Sequence, residues 1–122
     1  MARVLVVDDE RANVELLTDF LREKGYEVST AFNGAEALQK VKEERPHVVL
    51  LDICMPVMDG MEVLKRVREI DREVGVIVVT GINEEETGRK SLAMGAFDYI
   101  TKPLDLHYLE QSLWTKTMLL TL

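Results

Sequence analysis

Four short apolar runs in this chain each close on a residue that phosphate chemistry uses. Val4-Leu5-Val6-Val7 leads into Asp8 and Asp9, and Val48-Val49-Leu50-Leu51 leads into Asp52. Val76-Ile77-Val78-Val79 leads into Thr80, and Phe97-Asp98-Tyr99-Ile100-Thr101 leads into Lys102 and Pro103. β-Branched and aliphatic runs with no polar alternation read as strands covered on both faces, the habit of parallel sheets. Parallel strands put their carboxyl ends along one edge, where open α/β sheets bind ligands. Three carboxylates, a hydroxyl and an ammonium then meet in one crevice.

Helical periodicity fills the segments between these runs. Val14, Leu17, Phe20 and Leu21 share one face of a first helix that stops at Gly25, and a short strand over Tyr26 to Thr30 follows. Asn33 opens a second helix with Ala37, Leu38 and Val41 inward, broken by Pro46. A third follows Asp59-Gly60, with Val63, Leu64, Val67 and Ile70 as its stripe; Asp59 and Glu62 resemble a capping box. Asn83 and Glu86 repeat that cap before a fourth helix, whose first turn holds three glutamates that suit the helix dipole. Its interior, Thr87-Gly88-Arg89-Lys90-Ser91, offers few large apolar anchors, so this helix is expected to be the least firmly held. A last helix over about residues 105–121 turns Leu106, Leu109 and Leu113 inward. Five alternations of strand and helix imply right-handed crossovers and a parallel sheet. There is no internal repeat or linker, so residues 1–122 read as one domain.

Composition narrows the function. Fifteen basic against 22 acidic side chains leave a net charge of −7, which repels nucleic acid, so no direct nucleic-acid binding is expected. The single cysteine, Cys54, excludes an intrachain disulfide and a cysteine-based metal cluster. No signal-peptide core develops before Asp8 and no run approaches spanning length, so the expectation is a cytoplasmic protein without membrane insertion.

Each site residue has a bland reading when taken singly. Asp8-Asp9-Glu10 could cap a helix, Asp52 could be a loop acid, Thr80-Gly81 a turn and Lys102 a solvated lysine. Together they end successive buried strands. In that order, Val-Asp8-Asp9, Leu-Leu-Asp52-Ile-Cys-Met-Pro56 with Met58-Asp59-Gly60, Thr80-Gly81 and Asp98-Tyr99-Ile100-Thr101-Lys102-Pro103 resemble the receiver domain of two-component response regulators. The resemblance runs from about Arg3 to Leu113, and the stretch from Asp52 to Gly60 is its most specific part.

The resemblance implies an α/β fold: a doubly wound (βα)5 flavodoxin-like domain with a parallel five-stranded sheet of order 2-1-3-4-5. It implies Asp52 as the phosphoacceptor. Asp9, Asp52 and the backbone carbonyl of Cys54 would bind magnesium, for which manganese can substitute, with Asp8 acting directly or through water. Lys102 would pair with Asp52 before phosphorylation and with the phosphoryl group afterwards, and Lys102-Pro103 would be a cis peptide. Thr80 and Tyr99 would be the switch, the hydroxyl taking a phosphoryl oxygen and Tyr99 moving into the space vacated. A histidine kinase or histidine phosphotransfer protein would supply the phosphoryl group. An output domain or target protein would read the surface of helix 4, strand 5 and helix 5, which could also form a homodimer. Such a domain assists its own phosphorylation but turns over no external metabolite, so it is not expected to be an enzyme.

Two departures bear on phosphoryl lifetime. Cys54 and Ile82 flank the family's path for attacking water, and neither can orient water with a carboxylate or amide, so the resemblance implies a long-lived phosphoryl group. Gly81 stands where the family also accepts Ala or Ser. Cys54 reads as a small buried side chain; the cysteine-phosphatase spacing would need an arginine at position 60, which is Gly60. His47 and His107 read as structural or surface residues, and the six methionines as core filler. From Trp114 to Leu122 the tail is apolar, with Lys116 its only charge, fitting either a cut through a longer protein or a dimer or partner surface.

Two rivals use related sheets. A haloacid-dehalogenase-type phosphatase also employs an aspartate nucleophile and magnesium, but needs a general-acid aspartate where Cys54 stands. A flavodoxin-type flavin carrier needs a first loop rich in Ser, Thr and Gly, and this loop is Asp8-Asp9-Glu10-Arg11.

Overall fold

The computed structural model of the chain describes residues 2–55 and 59–120, apart from the side chain of Leu120. Pro56, Met58 and Leu122, used in the sequence reading, lie outside the described residues. Strands and helices alternate: β1 (Arg3–Val7), α1 (Arg11–Glu23), β2 (Glu27–Ala31), α2 (Gly34–Glu44), β3 (Val48–Asp52), α3 (Gly60–Ile70), β4 (Gly75–Thr80), α4 (Glu85–Ala93), β5 (Asp98–Thr101) and α5 (Leu106–Leu120). All pairings are parallel and the strand order is β2-β1-β3-β4-β5. Order and fold are those that the resemblance implied.

The unbroken apolar runs are strands because both sheet faces are covered. On one face Leu5, Val49, Leu51, Val76 and Val78 meet Ala37, Val41, Val63, Leu64 and Val67 of α2 and α3. On the other, Val4, Val6, Leu50, Ile77, Val79 and Ile100 meet Val14, Leu17 and Leu21 of α1 and Leu109 and Leu113 of α5. Alternate side chains of each strand therefore serve two cores.

Helix ends explain where the expected boundaries shift. α1 closes through a Schellman arrangement: Gly25, at φ +94°, donates to the Arg22 carbonyl, and Tyr26 donates to that of Leu21. Tyr26 is thereby committed to the helix end, and β2 begins one residue later than the sequence suggested. At α2, the Asn33 side chain accepts the Glu36 amide at 2.8 Å, a true N-cap. At α3, Asp59 caps through Met61 rather than Glu62.

The expected cap on α4 is wrong. Asn83 takes φ +64° outside the helix, and Glu84 is the N-cap residue with no side-chain cap bond. Asparagine tolerates the left-handed region, and here it turns the chain out of the β4 edge instead of capping. Glu85 and Glu86, rather than three glutamates, occupy the first turn. The weak anchoring of α4 is as expected, since Gly88 and Ser91 are its buried residues. α5 carries the tail, leaving Trp114, Met118 and Leu119 exposed.

Candidate functional site

β1, β3, β4 and β5 deliver their last residues to one edge of the sheet. Asp52 ends β3 and is only 4% exposed. Its Oδ1 accepts the Cys54 backbone N–H at 2.8 Å, and its Oδ2 accepts the Lys102 ammonium at 2.8 Å. Lys102 reaches it from the residue after β5, and its backbone N–H donates to the Thr80 carbonyl at 2.9 Å. The Asp52 hydrogen bond, stronger than the opposing effect of burial, raises the Lys102 pKa. Lys102 is thus firmly cationic.

Asp8 is the second buried carboxylate. Its amide still belongs to the sheet, donating to Ala31 at 3.1 Å, while its Oδ1 accepts the Glu10 amide at 2.9 Å. Burial, reinforced by the charge of Asp52, lifts its pKa from 3.8 to about 6 against the pull of the Glu10 amide, Asn13 and Lys102. Asp9, next along the chain, is exposed. Among the described residues no three His, Cys, Asp or Glu side chains are gathered for a metal. Asp8 and Asp52 are brought together at the sheet edge, and Asp9 beside them is open to solvent.

Thr80 ends β4 fully buried, and its Oγ1 has no hydrogen-bond partner among the described residues. A buried hydroxyl without a partner is uncommon; Thr18 Oγ1 in α1 is the other among the described residues. Val78 pairs with Tyr99 and Thr80 with Thr101, so strand alternation places Thr80 and Tyr99 on the same face of neighbouring strands. Tyr99 is half-buried against the core beneath α3 and α4. The Lys102-Pro103 peptide is cis, as the resemblance implied.

Cys54 corrects the sequence reading, because it is exposed rather than buried. Beyond Asp52 the chain leaves the sheet, so Cys54 has no strand face to occupy. Local desolvation and then the Asp52 charge raise its thiol pKa, keeping it a thiol at neutral pH. His47 is structural: its Nδ1 accepts the Arg3 amide at 2.9 Å, joining β1 to β3 far from Asp52. Residue reading missed Asp98, whose Oδ2 accepts both the Tyr108 hydroxyl at 2.7 Å and the Ser112 hydroxyl at 2.8 Å, fastening α5 to β5. That bond pushes the Tyr108 pKa up to about 12. The Asp-Tyr pair in the motif signalled only a strand.

A cavity of about 400 Å³ adjoins the acidic edge. Asp8, Asn13, Asp52 and Lys102 form its polar wall, and Leu16, Leu17, Leu50, Val79, Leu104 and Leu106 are among its apolar residues.

The sequence model for the response regulator receiver domain matches residues 4–113. The chain belongs to the response regulator receiver domain family. This receiver domain is 39% identical over 104 residues to sporulation initiation phosphotransferase F of Bacillus subtilis, covering 85% of this chain and 84% of that protein. It is 42% identical over 101 residues to the alkaline phosphatase synthesis transcriptional regulatory protein PhoP of Bacillus subtilis, covering 83% of this chain but 42% of that protein. A receiver domain from Clostridium thermocellum superimposes with a TM-score of 0.90 at 30% identity, covering 95% and 94% of the two chains. Receiver domains are signalling modules of two-component systems rather than metabolic enzymes. No helix among the described residues is long and apolar enough to cross a membrane.

Receiver domains generally bind magnesium at the acidic pocket, and the residues here fit it. Two buried carboxylates face one ammonium, and burial, with a smaller contribution from the Asp52 charge, raises the Asp8 pKa. Magnesium commonly takes one or two carboxylates and keeps several waters, so a third gathered carboxylate is not required.

Proposed function

We propose that Asp52 accepts a phosphoryl group and that the new charge resets the face made by α4, β5 and α5. The observation carrying this reading is a buried carboxylate, Asp52, matched to Lys102 at 2.8 Å on the edge where Thr80 keeps an unpartnered hydroxyl. An Asp52 oxygen attacks phosphorus, and an acyl phosphate forms as the bond to the donor's leaving atom breaks, its electron pair leaving with that atom. Asp8 and Asp52, with Asp9 and the Cys54 carbonyl, would hold magnesium, which supplies neutralisation of the donor's charge.

Lys102 exchanges the Asp52 carboxylate for a phosphoryl oxygen, an exchange suited to a compact ammonium on a flexible stem. Thr80 donates its hydroxyl to another phosphoryl oxygen, satisfying the orphan group. Movement of Thr80 changes the space beside Tyr99 on the same sheet face. Phosphorylation thereby biases an existing equilibrium of α4, the helix with the fewest buried anchors.

The donor is a histidine kinase or a histidine phosphotransfer protein, and the reader is an output domain, a target protein or a second copy of the chain. With Cys54 and Ile82 flanking the approach to Asp52, the phosphoryl group is long-lived. Rapid loss of label from purified protein would contradict that lifetime.

Intact-mass measurement after incubation with magnesium and a small acyl phosphate tests the reading. Wild type should gain one phosphoryl group, and Asp52→Asn or chelated protein none. Equal labelling of wild type and Asp52→Asn refutes the assignment. Lys102→Ala should separate labelling from response: labelled protein should show wild-type resting amide exchange in α4, without the increase that labelled wild type gives.

A further inference from the structure

We propose that Gly88 is the positioning residue for Tyr99: its missing side chain forms the seat in which the ring lies, and the ring holds α4 to the sheet. This deepens the switch reading above, but the contact itself exists without phosphorylation.

A helix interior disfavours glycine, so one at the centre of α4 needs a reason. Here the reason is a close approach. A Cβ built on Gly88 would stand 2.2 Å from Tyr99 Cδ2 and 2.6 Å from both Cε2 and Cγ, far inside van der Waals contact. It would meet the flat of the ring near its root, which cannot yield as the tip of a flexible chain can.

The rest of α4 gives it little other hold. Its buried residues are Gly88 and Ser91, and the Ser91 hydroxyl turns back onto the Gly88 carbonyl at 2.5 Å. Leu92, the large aliphatic side chain of α4, is exposed, as is Met94 beyond it. The anchor therefore sits on β5 rather than on the helix: Tyr99 reaches up from the strand and packs on helix backbone. Because Thr80 and Tyr99 share one sheet face, the ring is placed to sense the phosphoryl edge and α4 together. Position 88 sets how firmly the ring is seated and hence how much phosphorylation must displace.

A double-mutant cycle distinguishes this seat from an incidental glycine. Wild type, Gly88→Ala, Tyr99→Ala and the double variant are unfolded in urea without any phosphoryl donor. With Tyr99 present, Gly88→Ala should raise the unfolding constant at least tenfold, because the methyl group collides with the ring. With Tyr99→Ala, the same change should lower that constant about fivefold, since only the helix preference for alanine remains. Stabilisation by Gly88→Ala in both backgrounds overturns the proposal. In protein carrying 3-fluorotyrosine, the Tyr99 fluorine resonance should move towards its solvent-exposed position in Gly88→Ala while those of Tyr26 and Tyr108 stay. An unmoved Tyr99 resonance also overturns it. Neither measurement involves Asp52 labelling, so failure of labelling would strike the phosphoacceptor assignment alone.

Discussion

Asp8→Asn is expected to stabilise the protein at neutral pH while lowering magnesium-dependent labelling of Asp52 about a hundredfold. The two effects share one cause. Asp8 is held beside Asp52 with its pKa raised from 3.8 to about 6, mainly by burial. A carboxyl whose folded pKa is raised binds its proton more tightly in the native state than in the unfolded chain. Its favourable contribution is full below pH 3.8 and is lost as pH rises through about 6. Asparagine keeps the carbonyl that accepts the Glu10 amide and never ionises. The variant should therefore exceed wild type by about 1–3 kcal/mol above pH 7, with that advantage vanishing below pH 4. Urea denaturation between pH 3.5 and 7.5 measures it, and an advantage independent of pH would contradict the cause. Labelling falls because one of two buried carboxylates available to magnesium is gone.

Gly60→Ala should destabilise the fold by about 2–4 kcal/mol, although alanine is the better helix former by about 1 kcal/mol. Gly60 opens α3 just after the capping Asp59. A Cβ there would lie 2.4 Å from Ile53 Cα and 2.5 Å from Ile53 Cβ, so backbone must move. Ile53 directly follows Asp52, and its amide donates to the Val79 carbonyl at 3.1 Å. The displacement thus reaches the strand end that presents the proposed phosphoacceptor, and labelling should slow along with the loss of stability. Chemical denaturation with parallel labelling rates checks both; an unchanged or increased stability would contradict the clash with Ile53. Gly25 gives the contrast. At φ +94° it has nothing within 4 Å of an added Cβ, so alanine there is opposed by backbone conformation alone, at about 1 kcal/mol.

Much of the site was legible because its signals are local. An apolar run states that both sheet faces are covered, and the residue ending it must stand at a strand terminus. Asp52 and Lys102 were placed in this way and pair at 2.8 Å, and Thr80 ends the strand between theirs. The errors fall where the chain leaves the sheet. Asn83 had the composition of a cap and became a left-handed turn residue instead. Cys54 was expected inside and lies outside. Asp98 signalled a strand and gave no sign that Tyr108 and Ser112, 10 and 14 residues away, converge on it.

The sequence by itself determined five strands, five helices and the chemical identity of the groups closing β1, β3, β4 and β5. Periodicity and strand termination depend on neighbours within a few residues. Only the tertiary structure decided which of two adjacent acids, Asp8 or Asp9, turns into the pocket. It alone left the Thr80 hydroxyl without a partner among the described residues and laid Tyr99 on Gly88, 11 residues earlier in the chain. Burial, electrostatic shift and steric contact are set by groups that folding brings together from distant segments, and no local pattern encodes them.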